Sequence, residues 1–135
     1  MKASDLMIGD WVYDTHSYNY NKEKEPVKLD RNEFVELICG CTGNNDLDLG
    51  DMYEPVPLTE EVLKSNGFTK SKDERYYYAP NDNRFILGFM GGYANLPAHI
   101  FVECGFYPVT IKYVHELQHA IRLLGLDELA DNFKL

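Results

Sequence analysis

Apolar and polar positions change places at short range through most of this chain, and settle into a helical period only twice. Residues Trp11-Val12-Tyr13, Glu33–Cys39, Asp46–Leu49, Arg75–Ala79, Arg84–Met90 and His99–Cys104 are β-branched, aromatic or alternating runs. Each is bounded by Gly, Asn, Asp or Pro, which predicts strands separated by turns. Ile8-Gly9-Asp10 reads as the turn that feeds the first of them, and residues 15–32 are polar enough to predict a long loop or the end of a wide hairpin. Pro80–Asn83 and Gly91-Gly92 are turn signals between the later strands.

The first helical period is a cassette from Pro55 to Phe68. Thr59 is a capping residue, Glu60 and Glu61 complement the positive end of the first turn, Val62 and Leu63 anchor one face, and Asn66-Gly67 supplies the left-handed stop. The second period runs from about Thr110 to Leu124 and stops at Gly125. Its apolar side carries Ile111, Val114, Leu117, Ala120, Ile121 and Leu124, with Tyr113 at the border. His115 and His119 fall nearly opposite, beside Lys112, Glu116 and Arg122, a side that the pattern predicts to be solvated. Leu126–Asp131 adds a short helical turn before Phe133 packs the tail.

The architecture expected from these elements is α+β. A small N-terminal antiparallel β-barrel-like unit (1–57) leads through a connecting helix to a β-meander on which the C-terminal helix packs (58–135), the two parts forming either sub-domains divided near Pro55–Pro57 or one continuous domain.

Composition narrows the function classes. The chain has 135 residues, 44% of them hydrophobic, enough for a core without disulfides or metals as staples. Thirteen basic against 22 acidic residues give a net charge of −9, which disfavours nucleic-acid and anionic-membrane partners and suits a chain that meets proteins or small ligands. No stretch reaches the roughly 20 apolar residues of a membrane span, and the start lacks a secretory leader, so a cytoplasmic location is expected. The three cysteines, Cys39, Cys41 and Cys104, read as reduced thiols. Asp46–Asp51 is acidic but fails the calcium-loop template. The ten tyrosines read first as strand residues, second as an interaction surface.

One motif names a chemistry. His115-Glu116-Leu117-Gln118-His119 spells H-E-x-x-H, in which two His four apart on a helix hold zinc and the Glu acts as general base toward a metal-bound water. Chance would supply roughly 0.01 such matches in a chain of this composition. The context argues against it. Lys112 and Arg122 flank the pair, the Gly and His of the extended motif are replaced by Arg122 and Gly125, and His99 is the one other plausible ligand near the helix. A catalytic zinc needs three ligands and an open position. Glu116 is expected to pair with Lys112 instead. The expectation is therefore no catalytic residue, no metal and no cofactor; the alternative is a minimal zinc hydrolase with Glu116 as base and His115, His119 and His99 as ligands.

Met7–Tyr13, Glu54–Leu63 with Gly67-Phe68, the Tyr-rich strand and Ile111–His119 together resemble a group of small proteins of uncharacterised function from Bacteroidetes genomes, often carried by prophages and mobile elements. Its members open on an I-G-N-x-V strand and carry P-I-P-L-T-E-E-x-L-x-x-x-G-F and I-K-Y-V-H-x-L-Q-N motifs. The likeness spans most of the chain, loosely over 15–32 and the centre. It brings no activity with it. The chain departs from the group at Glu116 and His119, so the resemblance implies a structural helix in which His115, Leu117 and Gln118 are shared. It also implies a phage or mobile-element origin; with no complete catalytic set, basic patch or phosphate loop in the sequence, the expected function is a non-enzymatic accessory protein whose Tyr-rich, acidic surface meets a protein partner. A nucleic-acid-mimicking inhibitor is a third, weaker reading of the acidic charge.

Overall fold

The computed structural model describes residues 5–14, 24–32, 53–89, 98–102 and 105–135. The expected strands Glu33–Cys39 and Asp46–Leu49, the Gly91-Gly92 turn and all three cysteines lie outside them.

Among the described residues, two antiparallel sheets and three helices make an α+β fold. The first sheet contains β1 (Trp11–Asp14), β2 (Pro26–Lys28) and β3 (Tyr53–Pro55) in the order β2-β1-β3. Among the described residues it is an open three-stranded sheet, not the expected barrel. β2 also lies inside the stretch read as loop. Val27 is the one apolar residue of this short strand besides Pro26, and pairing with Val12 across the sheet makes it a strand.

The connecting helix α1 (Glu60–Ser65) is capped as its sequence predicts. Thr59 Oγ1 accepts the Val62 N–H at 3.3 Å. At the other end Gly67 adopts φ +79°, and the Gly67 and Phe68 N–H groups donate to the Lys64 and Leu63 carbonyls, each at 3.0 Å. This double bond closes the helix, and Phe68 folds onto Leu63's side of the core.

The meander follows in chain order: β4 (Thr69–Lys70), β5 (Tyr76–Ala79), β6 (Asp82–Phe89), β7 (Ala98–Val102) and β8 (Gly105–Ile111), all antiparallel. The sequence pattern missed β4 and β8. In β8 the signal is broken by Pro108. The register slips there: His99 faces Thr110 and Ile100 faces Tyr107, so Pro108 and Val109 bulge out of an edge strand, where a missing N–H is tolerated. Thr110 and Ile111 therefore close the sheet instead of starting the helix.

The C-terminal helix α2 (Val114–Leu123) begins four residues later than its apolar pattern suggests, and α3 (Asp127–Asp131) follows. Gly125, at φ +76°, repeats the α1 ending, with its N–H on Arg122 and that of Leu126 on Ile121.

One hydrophobic cluster joins Val56, Leu58, Leu63, Phe68, Tyr77, Leu87, Ile111, Val114, Leu117, Ile121, Ala130 and Phe133, with Trp11 and Tyr13 packed on it. The segment expected as a boundary lies inside this arrangement. The Leu58 N–H donates to the Lys112 carbonyl and the Val114 N–H to that of Val56, each at 2.9 Å. The tail is tied down twice: Trp11 Nε1 donates to the Phe133 carbonyl at 2.8 Å, and the Asn66 side chain exchanges two 2.7 Å hydrogen bonds with the Lys134 backbone. No helix among the described residues is long and apolar enough to cross a membrane.

Candidate functional site

The polar side of α2 is only partly solvated. The Met7–Asp10 turn lies over it, and His119 and Gln118 of the motif are drawn into that contact. Asp10 has no exposed surface. Its Oδ2 accepts the Met7 N–H and meets His119 Nε2, each at 2.7 Å, while Oδ1 accepts Arg122 Nη1 at 2.9 Å. A carboxylate only accepts, so His119 carries its proton on Nε2. Arg122 also reaches the Ile8 carbonyl at 3.3 Å and Asp131 Oδ1 at 3.5 Å. A buried anion with one backbone and two side-chain donors is the condition under which such burial is tolerated.

Gln118 completes the clasp. It is fully buried; its Oε1 accepts the Trp11 N–H at 3.1 Å, and its Nε2 donates to the Gly9 carbonyl at 3.0 Å and the Ala130 carbonyl at 3.1 Å. One amide thus links β1, α2 and α3.

The remaining motif residues take other places. Leu117 is in the core. Glu116 Oε2 accepts the backbone N–H groups of Lys112 at 2.7 Å and Tyr113 at 3.1 Å, satisfying donors at the helix start that have no partner within the helix. This replaces the side-chain pair expected between Glu116 and Lys112. His115 is only 5% exposed. Its ring stacks on Tyr113 at 5.9 Å and meets the His119 ring edge-on at 5.8 Å. Its Nδ1 is buried without a hydrogen-bond partner among the described residues. Burial lowers its pKa from the ordinary histidine value, against the opposing pull of the Asp10 and Glu116 carboxylates.

The expectation of a solvated His115–His119 face is therefore overturned, because a helical wheel cannot show that another segment lies on the polar side. As a zinc set the residues are engaged elsewhere: His119 Nε2 faces Asp10, and Glu116 caps its own helix. His99 stands in β7, opposite Gly88 and Thr110. Among the described residues no three His, Cys, Asp or Glu side chains are grouped to hold a metal ion.

Sequence reasoning missed Asp10. Its only signal was indirect: an acid next to the first strand, and a helix side bearing two possible cations, His119 and Arg122, three residues apart. The first-turn Glu60 proves to be an ion-pair residue, with Lys70 at 3.2 Å and Lys64 at 3.5 Å. A hydrogen bond from Tyr77, together with these lysines, holds its carboxyl below the usual range. Tyr77 itself is a core residue, its hydroxyl pKa raised by burial and by Glu60.

The clasp leaves apolar side chains outside. Met7 is 46% exposed, Ile8 51% and Leu123 87%. The Met7 N–H and the Ile8 carbonyl take part in the Asp10–His119–Arg122 group, and Leu123 follows Arg122 at the end of α2. Comparison of the chain with protein-family models, curated proteins and solved structures returned no match.

Proposed function

We propose that the chain is a non-enzymatic protein-interaction component, working in the cytoplasm and of the accessory kind that phages and mobile elements carry. The observation that carries this reading is the outward exposure of Met7, Ile8 and Leu123 on the two segments that the Asp10 contacts join. Large apolar side chains held outward beside a buried polar clasp are a reason to expect a partner surface. The engagement of Glu116, Gln118 and His119 in internal contacts supports the same reading, and the resemblance to mobile-element proteins supports the origin. Affinity capture from the native host with the wild type and with Leu123→Ser tests it: a protein retained by the wild type and lost by the variant is expected, and identical capture by both would remove the support.

A zinc-dependent hydrolase is the second reading. It is favoured by the contact between the His115 and His119 rings and by the partnerless His115 Nδ1. Metal analysis of protein purified without chelator, beside His115→Phe, separates the two. Stoichiometric zinc that disappears in the variant would replace the first reading.

A further inference from the structure

We draw no further inference here: the strongest candidate, the face of the five-stranded sheet opposite the hydrophobic core, where the register sets Thr69, Tyr78, Ile86, Phe101 and Phe106 in one row across β4 to β8, carries none because nothing among the described residues shows what covers it.

Discussion

The Asp10 carboxylate and the His119 imidazole, 109 positions apart in the chain, meet at 2.7 Å where Asp10 has no exposed surface. Arg122 and the Met7 N–H complete the shell of this anion. Replacing Asp10 by Asn puts an amide donor among three donors and leaves the Arg122 guanidinium without its counter-charge. Loss of one member of a buried ion pair costs about 3 kcal/mol, and urea unfolding is expected to record a drop of that order. A cycle with Arg122→Met should show coupling, since removal of both partners leaves less uncompensated charge; strictly additive losses would contradict the shared anion.

Gln118→Leu keeps the size of a buried side chain and removes its polar atoms. The Trp11 N–H and the Gly9 and Ala130 carbonyls lose their partner. Unsatisfied buried groups of this kind cost about 2 kcal/mol in total here, because they also face loop backbone that can relax. A shift in the emission of Trp11, the chain's single tryptophan, is expected alongside the lower urea midpoint.

His115→Phe is expected to be neutral or mildly stabilising near pH 7.5, since it replaces a ring whose Nδ1 has no partner with an apolar ring that can stack on Tyr113. The pH dependence carries the sign. The folded chain holds His115 below the ordinary value of 6.5, and the unfolded chain does not. As pH falls below about 6.5 the unfolded state takes up a proton that the folded state refuses, so stability declines from that point toward the folded pKa. Unfolding at pH 7.5, 6.5 and 5.5 should show the wild type losing more stability than His115→Phe over this interval; parallel curves would refute the assignment.

Gly125 and Gly67 separate backbone strain from crowding. Both have φ near +80°, at +76° and +79°, where a side chain is disfavoured. A Cβ at Gly125 meets nothing within 4 Å, while one at Gly67 lies 3.3 Å from the Pro80 Cβ. Gly125→Ala is expected to cost about 1 kcal/mol from conformation alone, and Gly67→Ala more, as thermal or urea unfolding can check.

The parts of this fold written in neighbouring residues were legible. Thr59, Asn66-Gly67 and Gly125 mark helix ends because capping links residues only three to six apart. Arg75–Ala79 and Arg84–Met90 around a Pro-Asn turn mark a hairpin for the same reason. β2 and β8 were illegible: β2 is three residues long within a polar stretch and becomes a strand by pairing with β1, while Pro108 breaks the pattern of β8, which is held by pairing with β7 just before it.

The candidate site divides in the same way. The sequence by itself determined that His115–His119 would be helical, that Leu117 would face the core, and that the helix would stop at Gly125, since period and caps are local properties. The tertiary structure decided the rest. His119 and Arg122 stand on a polar stripe whose surroundings no helical period encodes, and Gln118 and His115 lie beside it. Only when the Met7–Asp10 turn crosses that stripe does Asp10 become a buried counter-charge and Gln118 a link between β1 and α3. A contact across 109 residues depends on chain path, which a pattern of neighbours does not contain.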